Sequence, residues 1–150
     1  MKNQILIKGT NFQKLKKEIQ NNKDKKIIFS SNNDDVNRQV VEKEKIDVLL
    51  LNQSLRKDRF KQRDSGFNQV LAKLAKKKNI IIGINLDELL DSKKKIKAEI
   101  LARVKQNIKL CNKNRLKMKF VSSEKNERNI YDLKALGLVL GMPTWMTKEL

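Results

Sequence analysis

The run Arg56-Lys57-Asp58-Arg59-Phe60-Lys61-Gln62-Arg63 sets five cations among eight residues, around a single aromatic ring. Side chains of these types bind phosphate: Arg offers a bidentate fork, Lys a compact point charge, and Phe60 a face on which a base can stack. In an extended loop Lys57, Arg59, Lys61 and Arg63 project to one side at the two-residue period, with Phe60 opposite. Such a row can follow a phosphate backbone, whereas the plainer alternative is a solvated loop with Phe60 buried. Lys105, Lys109 and Lys113, on a predicted helix, form the second candidate set of RNA contacts.

The rest of the chain offers little for covalent chemistry. It has no His and one Cys, so no Ser-His or Cys-His pair, imidazole base or His-ligated metal can be built. A hydrolase would depend on carboxylates alone. Asp47, Asp58, Asp64, Asp87 and Asp91 could converge at strand ends in a barrel, where active sites gather, but sequence does not bring them together. Asn32, Asn33, Asp34 and Asp35 lack the spacing of a calcium loop and read as capping residues. Gly9-Thr10-Asn11 is too short to cradle phosphate, and no Walker or dinucleotide motif occurs. No catalytic or metal-ligating residue is therefore expected.

Charge points the same way as the basic run. The 150 residues carry 35 Lys+Arg against 17 Asp+Glu, a net +18. That surplus opposes compaction and attracts a polyanion, since each neutralised phosphate releases a condensed counterion. Nucleic acid is the leading partner class, although a bias toward Lys, Asn and Ile could also reflect compositional drift. A membrane surface is the weaker candidate, because no basic amphipathic helix with large apolar residues stands out. Cys111 cannot form an internal disulfide, no secretion signal is evident, and the Ile80–Ile84 aliphatic stretch is far below the roughly 18 residues of a membrane span. A cytoplasmic protein is expected.

These residues must be positioned by alternating elements, because short aliphatic runs alternate with helical periods in the order β-α-β-α-β-loop-α-β-α-β-α. The strands are Ile5–Lys8, Lys26–Ser30, Ile46–Leu51, Asn79–Ile84 and Lys117–Ser122. Runs such as Val48-Leu49-Leu50-Leu51 suit strands covered on both faces, as in a parallel sheet. Ser30 to Asp34 supplies cap oxygens for a helix bearing Val36, Val40 and Val41. Asp64 and Ser65 are expected to cap a helix starting near Gly66, with Phe67, Val70, Leu71, Leu74 and Ala75 on its core face. Ile100, Leu101, Val104, Ile108 and Cys111 share one face of another helix, so Cys111 reads as a buried small hydrophobe. The last helix, Asn129–Leu140, is apolar on most sides and should be enclosed or bound to a partner. Gly141 and Pro143 end it, and Trp145 and Met146 should dock on the domain. Residues 1–150 form one α/β domain in this reading.

Three collinear segments carry a specific resemblance: Arg63 to Ala75 (RDSGFNQVLAKLA), Leu101 to Cys111 (LARVKQNIKLC) and Lys117 to Ser123 (KMKFVSS), with Tyr131 to Met142 closing the pattern. Together they resemble ribonuclease P protein component 3, the thirty-kilodalton subunit family of archaeal and eukaryotic ribonuclease P. The resemblance implies a TIM-barrel-like fold, here a shortened or open (β/α) barrel lacking the first strand-helix unit. It also implies a role in maturing the 5′ end of precursor tRNA, with catalysis by the RNA subunit. Ribonuclease P RNA and the small ferredoxin-like component 2 are the implied partners, precursor tRNA is engaged indirectly, and magnesium belongs to the RNA. Where the family pattern leads one to expect His, this sequence has Gln69.

The expected function is thus a noncatalytic, RNA-binding subunit of an endoribonuclease, with no cofactor of its own. Contacts fall to Arg56, Lys57, Arg59, Lys61 and Arg63 first, then Lys105, Lys109 and Lys113. A self-sufficient barrel phosphoesterase and a general RNA-binding protein are the alternatives.

Overall fold

The computed structural model describes residues 3–150. Strands β1 (Gln4–Lys8), β2 (Lys26–Ser30), β3 (Val48–Leu51), β4 (Ile81–Asn85) and β5 (Met118–Val121) pair in parallel, each beside its sequence neighbour. Right-handed crossovers between successive neighbours put the connecting helices on one face, so this order curls the sheet into a (β/α) barrel-like form instead of winding helices on both sides. Side-chain parity agrees. Ile27, Phe29, Leu49, Leu51, Ile82, Ile84 and Met118 pack in one core with the helices, whereas Ile28, Val48 and Leu50 form a separate cluster on the other face. Among the described residues β1 and β5 are unpaired edges, so the barrel is open.

The helices are α1 (Phe12–Asn21), α2 (Asp34–Lys43), α3 (Gln69–Lys77), α4 (Leu86–Asp91), α5 (Lys94–Lys113), α6 (Ile130–Leu140) and α7 (Thr144–Lys148). Asparagine starts five of them: Asn11, Asn33, Asn68, Asn85 and Asn129 each accept a backbone N–H of the first turn. Each such cap satisfies a donor the helix cannot, worth about 1 kcal/mol. The Asn33 cap lies within the Ser30 to Asp34 cluster, as expected. Strand ends shift by one or two residues from the sequence reading, the short α7 falls where only a tail was expected, and two further differences bear on the site. Helix α3 begins at Gln69 under Asn68, because Asp64 is held by Arg56 and Arg59 and Ser65 is buried. Helix α4, a short turn directly after β4, was not expected at all.

Cys111 is fully buried in α5, where burial pushes its thiol pKa up, which leaves it inert as a nucleophile. Met146 is likewise buried, and Trp145 Nε1 donates to Asn112 Oδ1 at 2.9 Å, so the tail docks on the domain. Helix α6 buries Gly137 and Leu140 but leaves Tyr131 and Val139 75% and 78% exposed. Within this chain it is covered on one side only. Gly141, at φ +104°, ends it in the left-handed conformation that glycine adopts without a Cβ clash.

Candidate nucleic-acid interface

Residues 52–68 leave the carboxyl end of β3 and return to α3. Apart from Phe67, which is buried in the core, this long connection is held largely by polar groups. The backbone N–H groups of Gln53 and Ser54 donate to the Glu88 carboxylate at 2.7 Å each. Gln53 Nε2 donates to the Ser65 carbonyl at 3.0 Å, and Ser65 Oγ donates to Asn107 Oδ1 at 2.6 Å.

Arg103 of α5 is the main fastening. It is 2% exposed, and its guanidinium donates to the carbonyls of Gln53 (3.1 Å) and Arg56 (3.0 Å) and to Asp58 Oδ1 (3.1 Å). A buried cation is tolerated because each of its three nitrogens donates to an oxygen.

Arg56 is a second fastening. It donates to Asp34 Oδ2 at 2.6 Å and to the Asp64 carbonyl at 2.8 Å. Burial alone would lower its pKa, but the bonds and charges of Asp34 and Asp64 outweigh that and raise it. Gly66 is required beside it. A Cβ at position 66, already at φ +74°, would lie 2.8 Å from the Arg56 guanidinium and 2.7 Å from Asp34.

The loop acids are therefore both engaged by guanidiniums, Asp64 partly buried and Asp58 at the surface. The Asp64 N–H donates to Asp58 and, with Arg103 beside it, lowers the Asp58 pKa. Burial acts to raise Asp64, but the Gly66 N–H, Arg56 and Arg59 together lower it. The cations are left facing outward. Lys57, Arg59, Lys61 and Arg63 are exposed, and among the described residues Lys57, Lys61, Arg63, Lys105, Lys109 and Lys113 form no ion pair.

The shape corrects the extended-row expectation. The chain reverses between Arg59 and Gln62, which pair as an antiparallel bridge, with Lys61 at φ +65°. Phe60 stands at the tip, 91% exposed, with Lys61 Nζ 5.5 Å from its ring. Arg59 swings back to Asp64 at 3.2 Å. Arg63 meets the second predicted set: with Lys105, Gln106 and Lys109 it lines a shallow cleft of about 360 Å³. Lys113 lies exposed one turn further along α5. Arg56 is not on this surface, because its guanidinium is engaged by Asp34 and Asp64.

The aspartates do not converge. Asp47 accepts from the Ile27 N–H, and Asp58 and Asp64 belong to the loop. Asp87, on α4, accepts from Ser123 N–H and Oγ and from Asn126 Nδ2, bonds that lower its pKa against the opposing effect of burial. Asp91 lies beside Lys125. Gln69, in place of the expected His, exchanges two hydrogen bonds with Asn114 at 2.9 and 3.1 Å, tying α3 to the end of α5.

Arg103 and Asn107 were not singled out from the sequence, yet the signal was there. They fall at i+3 and i+7 from Ile100, on the same stripe as Val104, Ile108 and Cys111. A polar residue on a core-facing stripe must find internal partners.

The family described as RNase P subunit p30 matches residues 6–150. The chain belongs to that family. Ribonuclease P protein component 3 of Methanothermobacter thermautotrophicus is 29% identical over 116 residues, which cover 77% of this chain and 44% of that protein. A chain of the cryo-EM structure of archaeal ribonuclease P with mature tRNA superposes with a TM-score of 0.78 at 24% identity, over 97% of this chain and 62% of that one. At that identity the likeness speaks for the fold. This p30-family chain thus spans less than half the length of that curated relative.

Proposed function

We propose that this chain is an RNA-binding, noncatalytic subunit of ribonuclease P that helps the RNA subunit remove the 5′ leader of precursor tRNA. Membership of the p30 family supports the assembly. The observation that carries the binding reading is the sorting of charge in residues 56–64: the acids Asp58 and Asp64 are engaged by Arg103 and Arg56, while Lys57, Lys61 and Arg63 stay exposed and without an ion pair among the described residues, Arg63 beside Lys105 and Lys109 of α5. Such a surface neutralises phosphates and lets a folded, active RNA form at lower magnesium, the ions being held by the RNA. A ferredoxin-like component 2 is the protein partner this reading calls for, in the cytoplasm.

The test is the salt dependence of RNA affinity. Replacing Lys57, Arg59, Lys61 and Arg63 with Gln should weaken binding and reduce the log-log slope by up to about 3, at roughly 0.7 per single-strand phosphate contact. An unchanged slope would overturn the proposal. Cleavage of precursor tRNA by the purified chain without any RNA subunit would favour the phosphoesterase instead.

A further inference from the structure

A second cavity, of about 500 Å³, opens at the carboxyl ends of β1, β3 and β4 and shares no lining residue with the cationic cleft. In barrel folds this is the end that takes ligands, and the volume falls within the range of small-molecule sites.

Its floor is a chain of amides and hydroxyls. Asn85 Nδ2 donates to Asn52 Oδ1 at 2.8 Å, and Asn52 Nδ2 donates to Ser30 Oγ at 2.9 Å. This chain fixes the two amides and leaves the second Nδ2 hydrogen of Asn85 and the hydroxyl of Ser54 for a ligand.

Its rim carries Lys8 and Lys57, neither of which forms an ion pair among the described residues. The two lining acids are already engaged, Asp34 by Arg56 and Glu88 by the N–H groups of Gln53 and Ser54. The net attraction at the rim is therefore for an anion.

Leu55 completes the site. It also lines the cavity, stands 91% exposed, and sits at φ +62°, a left-handed conformation that a leucine rarely adopts. Strain that holds an apolar side chain out in water, above a polar floor, is the kind of outlier that marks a ligand clamp.

We infer that this mouth binds one nucleotide unit: its base edge against the Asn52–Asn85 amides, its face against Leu55, its phosphate between Lys8 and Lys57. The inference rests on the RNA-binding reading but concerns a second surface that shares only Lys57 with the first, and the same chemistry fits a nucleotide within single-stranded RNA or a free mononucleotide.

The test is an NMR titration of the whole chain with the four nucleoside 5′-monophosphates, ribose 5-phosphate and inorganic phosphate. Monophosphates should shift the resonances of Asn52, Leu55 and Asn85 with dissociation constants at or below about 10 mM. At least one base should bind about tenfold tighter than ribose 5-phosphate. Lys8→Ala should weaken that binding about tenfold, the effect of one charge-assisted contact. Leu55→Gly relaxes the backbone while removing the apolar contact, so it should weaken binding with thermal stability retained. No shift at these residues, or equal binding of inorganic phosphate, would overturn the inference.

The source is read from a short single-stranded RNA. If it moves the same resonances and Leu55→Gly abolishes that, the nucleotide comes from RNA; if only mononucleotides do, it is free. These variants keep Arg59, Lys61 and Arg63, so the site can fail while the salt-slope test succeeds, and the reverse.

Discussion

Two connections at the carboxyl end of the sheet are fastened by aspartates, with opposite results. After β3, residues 52–68 are fastened by Asp34, Asp58 and Asp64 acting on two internal guanidiniums, Arg56 and Arg103. After β5, the turn at Ser123–Asn126 is fastened mainly by Asp87 through neutral donors, with Asp91 adding long contacts to Asn126 and to the exposed Lys125. In the first, each acid is matched by a guanidinium of Arg56 or Arg103; of the cations left outside Arg59 also reaches Asp64, while Lys57, Lys61 and Arg63 form no ion pair among the described residues. In the second, the one cation engaged, Lys125, stays exposed beside Asp91, and none is drawn inside. A charged loop can thus be both ordered and available: its order comes from the arginines that face in, and its charge from those that face out.

The sharpest way to break the contrast is Arg103→Met. It leaves the Gln53 and Arg56 carbonyls without this donor and Asp58 with only the Asp64 N–H, at roughly 2–4 kcal/mol. The denaturant midpoint should fall, and amide exchange should speed up over residues 53–64 while Ser123 to Asn126 keep their protection.

Asp87→Ala is the mirror experiment. It removes bonds at a half-exposed site, so about 1 kcal/mol is expected, with faster exchange confined to residues 122–127.

Acid acts on both regions. Asp58, Asp64 and Asp87 have folded pKa values below their ordinary one, so their stabilisation is complete above the unfolded value of about 3.9 and is lost as pH falls through the lower folded values. Stability should be flat from pH 7 to 5 and decline below about pH 4. Carboxyl NMR titrations should place all three midpoints below the usual range.

Phe60→Ala should have the smallest effect on stability, within about 0.5 kcal/mol, because the ring is exposed. If it stacks on a base, the same change weakens RNA affinity by about 1–3 kcal/mol, an asymmetry that filter binding beside thermal melting would reveal.

Much of this was legible in the residues. Val48 to Leu51 read as a strand covered on both faces, and all four side chains are buried. Cys111 sits on the inner face of α5 as its spacing implied. What misled was any residue whose partner is distant in sequence. Asp64 carries the signature of a helix cap, yet two guanidiniums reach it first and Asn68 takes the role. Arg56 belongs by composition to the basic run and by geometry to the interior.

The sequence by itself determined the five strands and the longer helices, the parallel pairing, the absence of imidazole chemistry and the surplus of cations, because periodicity, side-chain type and net charge are local or additive. Only the tertiary structure decided which cations point out, where Arg63 meets Lys105 and Lys109, and that Arg103 lies inside. Those outcomes depend on contacts between residues more than forty positions apart, such as the Arg103–Asp58 and Ser65–Asn107 bonds. Whether a charge is buried or displayed is settled by the partner that reaches it, and no local pattern encodes that.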